Sequence, residues 1–398
     1  MTQHAKNNKP TDLPTPSRDA LAHSDRLCRF IRGDIAKQGG VIDFARYMQH
    51  ALYAPGLGYY TAGASKFGQQ GDFITAPEIS PLFGRSVARQ CADVLKSLNS
   101  GDVLEVGAGS GKLARDILLE LKQLDCLPDR YLILESSADL RQRQQQLLQA
   151  EMPDFFSQIV WLDSLPEQPF SGVVVANELL DAMPVHRLMC AEEGWVELGV
   201  GLENGDFCWS ALNDKTKPVA SLTQQLQEAN LILDQGYMSE VCLAQKAWIN
   251  SLADCLDQAL VLLVDYGYSR KDYYHPQRRN GSLRCHYRHY AHDDPFFYPG
   301  LQDITAHVDF TAIAEAAVEY QLDVLGYTTQ AYFLMACGIT ELVDMDSLDE
   351  LSQVEHAQQI RRLTMPGEMG ESFKVIALGK NLDLDLRGFS FNDQRGHL

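Results

Sequence analysis

The chain has no apolar run of about 18 residues, so no membrane-spanning helix is expected. Its nine cysteines form no C-x-x-C or other close pair, which argues against structural zinc and against a disulfide framework. Scattered thiols fit a reducing compartment, and the cytoplasm is the expected one. Basic charge is scarce: 34 Lys and Arg against 53 Asp and Glu leave a formal net charge of −19. A general nucleic-acid surface is therefore not expected, because phosphate binding needs a basic footprint. An acidic field favours a basic substrate segment, although solubility accounts for much of it. Residues 1–23 are polar and Pro-containing, without a signal-peptide apolar region or an Arg-rich transit pattern, and read as a disordered tail. Internal repeats, low-complexity segments and metal-ligand constellations are all missing, and no metal is expected.

What is present centres on residues 103–111, VLEVGAGSG. A short apolar strand carrying Glu105 runs into Gly107, Gly109 and Gly111, and a helical pattern, Lys112 to Leu121, follows at once. Glycines at alternate positions let the backbone turn sharply and lie against a ligand where a β-carbon would block it. The helix then offers unpaired N–H groups and the positive end of its dipole. The dinucleotide fingerprint G-x-G-x-x-G would require glycine where Lys112 stands, which disfavours a nicotinamide oxidoreductase. The run is instead E-x-G-x-G-x-G, the pattern of S-adenosylmethionine methyltransferases, and an acidic Glu105 suits a cationic cofactor tail better than a phosphate.

A second strand, Tyr131 to Leu134, ends at Glu135, 24 residues after Gly111, placed to accept both ribose hydroxyls. A third, Ile159 to Leu162, ends at Asp163 and Ser164, candidates for the adenine edge; a fourth, Val173 to Ala176, ends at Asn177 and Glu178. With the neighbouring Ala108 and Ser136, these are the expected cofactor contacts.

Strand–helix alternation from Asp102 to about Asp181 gives the rhythm of a parallel sheet. The fold class is α/β, a Rossmann-like methyltransferase sheet of seven strands, the last antiparallel, with helices on both faces. The core is expected over 101–183 and 258–380, with a helical and loop extension at 24–100 covering the site, an inserted α+β subdomain at 184–257 and a C-terminal tail at 381–398. Within the insertion, Val185 to Cys190 and Gly194 to Leu202 read as paired strands. Asn204–Gly205 signals a further hairpin into Cys208 to Leu212, and Val219 to Asn230 and Ser239 to Leu256 read as helical. Tyr268 to His292 reads as a loop.

Longer motifs carry a resemblance. FGQQGDFITAPEIS at 67–80, LEVGAGSGKLARDIL at 104–118, VVVANELLDAMPVHRL at 173–188, LVDYGY at 263–268, GSLRCHYRH at 281–289, QDITAHVDF at 302–310 and PGEMGESFKV at 366–375 resemble the MidA family of S-adenosylmethionine-dependent methyltransferases. The resemblance covers roughly residues 25–380. It implies S-adenosyl-L-methionine as cofactor and a cofactor-covering role for Asp72 and Phe73. The family includes a mitochondrial complex I assembly factor that dimethylates an arginine of a core subunit, which implies an arginine-containing protein substrate, such as a respiratory complex I subunit or its counterpart.

Methyl transfer from a sulfonium is an in-line displacement that requires a positioned nucleophile. A guanidinium nucleophile needs carboxylates to orient its fork and take up charge. Glu178 and Asp181, three residues apart after the fourth strand, are the preferred catalytic pair if a helical turn puts them on one face; helix capping is the equal alternative. Glu78 is a third candidate, the alternative being a first-turn charge of the helix at Ile79. His286, His289 and His307 sit among aromatic or apolar residues, where a structural role is the usual outcome, in loops able to close on a substrate; Tyr266, Tyr287 and Tyr290 are candidates for an arginine channel or for core packing. A small-molecule methyltransferase and a non-catalytic assembly protein that keeps the cofactor fold are the competing readings. Oligomeric state is not indicated.

Overall fold

The computed structural model describes residues 13–62, 75–212 and 216–398. The chain divides into two compact units: Met1–Phe73 with Ala182–Ala244 and Lys271–His307, and Ile74–Asp181 with Gln245–Arg270 and Val308–Leu398.

The second unit is built on strands β1 (Asp102–Val106), β2 (Tyr131–Leu134), β3 (Ile159–Leu162), β4 (Phe170–Asn177), β5 (Leu256–Tyr268), β6 (Val308–Asp309), β7 (Asp323–Thr329) and β8 (Phe373–Lys380). Their order is β7-β8-β5-β4-β1-β2-β3, with the two-residue β6 beside the end of β5. All pairings from β5 to β3 are parallel, and β8 runs antiparallel to both β5 and β7. This is the expected doubly wound sheet, with one short strand added. The strand order reverses beside β1, so the carboxyl ends of β1 and β4 flank a topological switch point, where open α/β sheets bind ligands.

The middle strands read as unbroken apolar runs because both of their faces are covered. Leu260, Leu262 and Val264 join one core cluster with Val103, Val173, Val175, Tyr131 and Ile133, while the alternate residues Val261 and Leu263 are buried outside it. Helix Lys112–Gln123 buries Leu113, Ile117, Leu118 and Leu121, one helical stripe. Helix Pro81–Leu98 starts at Ser80, whose hydroxyl accepts from the Leu82 N–H at 3.2 Å. Gly84 lets these two helices meet closely: a β-carbon there would lie 2.6 Å from Cβ of Asp116.

In the first unit, helices Arg18–Lys37 and Phe44–Tyr53 stand on either side of Gly39–Gly40. Strands His186–Ala191, Gly194–Glu203 and Asp206–Ala211 form the expected hairpins, joined by Ile42–Asp43 at one edge. Met238–Val241 pairs with His186–Ala191, so Ser239 to Leu256 is not one helix; the helix is Leu243–Asp254. The short strand is fixed by long-range pairing that helical apolar spacing does not report. Nor is Tyr268 to His292 simply a loop: Arg284–Tyr287 and Tyr290–His292 pair, and Asp303–Thr305 completes a three-stranded sheet.

Both expected tails are also revised. Residues 1–12 of the first lie outside the described residues, but a helix begins at Arg18, capped by the Ser17 hydroxyl. The segment after Asn381 packs into the second unit's core: Phe389 is buried and meets Phe333 edge-on at 5.7 Å, and Gly326 leaves the space its ring fills. Truncating such a ring removes transfer energy and leaves a cavity. Phe389→Ala is therefore expected to lower unfolding free energy by about 3 kcal/mol, read from the urea midpoint; a loss below about 1 kcal/mol would mean that this segment is not core.

Candidate active site

Gly107, Gly109 and Gly111 all take positive φ, 76°, 53° and 83°, a region that residues with a β-carbon rarely occupy. The Gly107 N–H donates to Leu134 O at 3.0 Å, which ties the turn to the end of β2. Gly111 is the N-cap of helix Lys112–Gln123, and no side chain among the described residues caps that end. Glu78 lies against this same turn: Ser110 Oγ donates to one of its oxygens at 2.5 Å and Lys112 Nζ to the other at 2.6 Å. The pair neutralises the lysine at the helix start. Glu78 thus stands with the glycine turn, and its partners are not Glu178 and Asp181.

Glu105 is buried inside the sheet and accepts the Tyr131 hydroxyl at 2.7 Å. Burial pushes its carboxyl up to about 7, against the downward pull of that hydrogen bond, with the charges of Glu135 and Asp116 adding to the rise. Glu135, also buried, accepts from the Ser137 N–H at 2.9 Å and from the Gln144 amide at 3.3 Å. Its carboxyl is raised by burial and lowered in part by Ser137, Gln144, Arg141 and the Gly109 N–H. Gln144 is fully buried; it also donates to Gly109 O at 2.9 Å and accepts from Trp161 Nε1 at 3.0 Å.

Beyond β4 the chain bends instead of forming a helix. Glu178 sits at φ 51°, outside the helical region, and its N–H donates to Val264 O at 2.9 Å. The expectation of Glu178 and Asp181 on one helix face fails, because a glutamate at positive φ cannot open a right-handed turn; the capping alternative fails with it. The carboxylate of Asp265, fully buried at the end of β5, accepts from the N–H groups of Leu180 at 2.8 Å, Asp181 at 3.3 Å and Tyr266 at 2.9 Å. Burial, with the charges of Asp181 and Glu178, pushes the Asp265 carboxyl well above the usual range. Gln245 Nε2 donates to Leu180 O at 2.9 Å. Three acids are thus gathered at two adjoining strand ends. The motifs give Asp265 no role; its place after a buried apolar run is the signal that marks it.

Asn177 donates to Glu178 at 3.2 Å, and its buried Oδ1 has no hydrogen-bond partner among the described residues. Ala108 is buried at the turn, whereas Ser136, Asp163 and Ser164 are exposed, Asp163 being paired with Arg141 at 2.8 Å. Asp72 and Phe73 lie outside the described residues. His286, Tyr287, His289 and Tyr290 belong to a hairpin of the first unit, where Tyr287 is core and packs edge-on to Phe297 at 5.6 Å. The His307 N–H is held by Ser282 Oγ at 3.1 Å, and Tyr266 packs on Phe373 at 5.4 Å.

These residues fit an adenosyl cofactor with a cationic tail. The glycine turn lacks a β-carbon at every second position, Glu135 keeps acceptor capacity, Asn177 offers a buried oxygen without a hydrogen-bond partner among the described residues, and the acids at the strand ends favour positive charge. Known proteins point the same way. Residues 86–328 match the family described as "Putative S-adenosyl-L-methionine-dependent methyltransferase". The chain is 30% identical over 368 residues to the mitochondrial protein arginine methyltransferase NDUFAF7 of Danio rerio, covering 85% of this chain and 83% of that one. It is 28% identical over 408 residues to the Drosophila melanogaster homolog, covering 94% and 89%. A superfamily member from Burkholderia thailandensis, solved bound to S-adenosyl-homocysteine, is 43% identical with a TM-score of 0.91, covering 97% of this chain and 100% of that one.

The raised Glu105 carboxyl has a consequence for stability. Between the ordinary value near 4.5 and the folded value of about 7, the folded chain keeps a proton that the unfolded chain has lost, so this group's contribution falls as pH rises through that window. Glu105→Gln removes the effect. Without cofactor, its stability relative to the unsubstituted protein is expected to improve by about 3 kcal/mol from about pH 4.5 to about pH 7.5, measured by urea unfolding; a pH-independent difference would place Glu105 in an ordinary ionised state.

Proposed function

The chain belongs to the family of S-adenosyl-L-methionine-dependent methyltransferases, and from that premise we propose that it methylates an arginine side chain of a partner protein. The observation that carries the arginine reading is the convergence of Glu178, Asp181 and Asp265 at the carboxyl ends of β4 and β5, next to the glycine turn of β1. The names of the relatives, protein arginine methyltransferases, support the same substrate class.

The cofactor, when bound, supplies an electrophilic methyl group on a sulfonium. The chain's own residues perform the rest. A free guanidinium stays protonated far above neutral pH, so it enters as a cation and needs fixed carboxylates. Glu178 and Asp181 flank the turn where the substrate nitrogen arrives, and their charges orient the planar fork through paired hydrogen bonds. Asp265 fixes the backbone that carries Asp181. As the nitrogen gains a methyl group it must lose a proton, and the Glu178 carboxylate is the group placed to receive it. The proposed substrate is a respiratory-chain subunit or its counterpart, and the proposed compartment is the cytoplasm.

The test supplies methyl-labelled S-adenosylmethionine to lysate from cells lacking this protein, with the purified chain added, followed by acid hydrolysis of the labelled protein. Labelled methylarginine is expected. Glu178→Gln is expected to lower incorporation by about 100-fold or more while S-adenosylhomocysteine affinity stays within about threefold. Label confined to small molecules would overturn the protein-substrate reading.

A further inference from the structure

Gln144 is a neutral amide with no exposure to solvent, and it touches the carboxyl ends of three successive strands. Its Nε2 donates to Gly109 O after β1 and to the Glu135 carboxylate after β2, and its Oε1 accepts from Trp161 on β3. Only one amide orientation satisfies all three. Reversed, an oxygen would face the Gly109 carbonyl and the Glu135 carboxylate, and an NH2 group would face the Trp161 N–H. The orientation of the amide is therefore set by its neighbours, and the indole N–H acts as the key. Gly111 permits the approach, since a β-carbon there would lie 3.2 Å from Cγ and 3.3 Å from Cα of Gln144.

The consequence falls on Glu135. An ionised carboxylate has about four acceptor positions. The Ser137 N–H occupies one on Oε1 and Gln144 occupies one on Oε2. The Gly109 N–H also draws on this carboxylate from the glycine turn, while Ser137 and Gln144 each take one position on a different oxygen, so acceptor capacity is left on the carboxylate. Two acceptors side by side on one rigid group match two hydroxyls on adjacent carbons. We propose that Gln144, locked by Trp161, is the positioning residue that makes Glu135 specific for a ribose cis-diol. A ligand with one hydroxyl missing would leave a buried carboxylate oxygen under-satisfied, a penalty that water cannot relieve in a closed site. With Gln144 removed, Glu135 loses its fixed rotamer and gains a vacant acceptor position, so the match to a diol is lost along with affinity.

The test is calorimetric titration of the full chain with S-adenosylhomocysteine and with its 2′-deoxy analogue, for the unsubstituted protein, Gln144→Met and Trp161→Phe. The unsubstituted protein is expected to prefer the ribo ligand by about tenfold or more. Gln144→Met should lose about tenfold in affinity for the ribo ligand and keep a preference of about threefold or less. Trp161→Phe, which leaves the amide in place but unkeyed, should lose less affinity and still narrow the preference. In a Glu135→Gln background, Gln144→Met should add about twofold at most. A residue that only supports the fold would lower melting temperature and weaken both ligands alike, leaving the ratio intact. That result, or an unsubstituted protein that binds both ligands equally, overturns the proposal. If Gln144→Met does not fold, an unchanged ratio in Trp161→Phe does the same.

Discussion

Coverage of both faces of the central strands is the constraint on which the rest of this structure depends. Val173 to Val175 and Ala259 to Val264 have almost no exposed surface. In a sheet of this kind, polar side chains can be satisfied only by buried partners or at the strand ends. Two acids obey this constraint in different ways. Glu105 stays within β1 and is kept there by the Tyr131 hydroxyl, with its carboxyl pushed up to about 7 by burial. Asp265 lies towards the end of β5 and turns its carboxylate onto three backbone N–H groups. The sheet therefore delivers its polar groups to one edge, where the strand order reverses and a ligand can approach.

Acids predominate at that edge, with Arg141 acting on Glu135 and Lys374 opposite Asp265 in the adjoining strand. Burial raises the carboxyls of Glu105, Glu135 and Asp265, and neighbouring acids add to the rise at Glu105 and Asp265. Such a site is under electrostatic strain when empty of positive charge, and a cation relieves it. A sulfonium with an ammonium tail is one such ligand and a guanidinium is another. Lys112 does not offset the acids, since Glu78 already holds its ammonium at 2.6 Å. The Glu78 pair also removes the positive charge that a phosphate-binding turn would use, so the same contact that neutralises the helix start separates this site from a dinucleotide site.

Legibility in the sequence follows the range of the interactions. The glycine turn is readable because positive φ at Gly107, Gly109 and Gly111 is a local demand that the residue type meets by itself. Glu135 is readable from its spacing after a strand. Gln144 and Trp161 are not, because a glutamine in a polar helix and a tryptophan in an edge strand acquire their roles only when helix Ala138–Glu151 folds back over three strand ends. The positions of Glu178 and Asp181 are legible but their geometry is not: positive φ at a glutamate is imposed by the bend and its bond to Val264, against local preference. Met238–Val241 is hidden for a related reason, its strand state resting on pairing with His186–Ala191.

The two halves of the sheet edge are held by different means, and the difference suits their tasks. On the side of β1, β2 and β3, a side-chain amide joins the strand ends, so the acceptors presented to a cofactor are fixed by packing within the core. On the side of β4 and β5, a carboxylate grips backbone N–H groups and Glu178 is kept in a region that costs about 1–3 kcal/mol to occupy. Such a conformation persists only where its surroundings over-determine it, and here Asp265, Gln245 and the Val264 carbonyl all act on the short bend from Glu178 to Asp181. In-line displacement requires a methyl acceptor aligned to within a fraction of an ångström, and the proposed acceptor carboxylates stand on this fixed bend, which needs no reorganisation at the moment of transfer. The strain at Glu178 thus marks a fixed bend at the ends of β4 and β5, on the same continuous sheet as the glycine turn of β1.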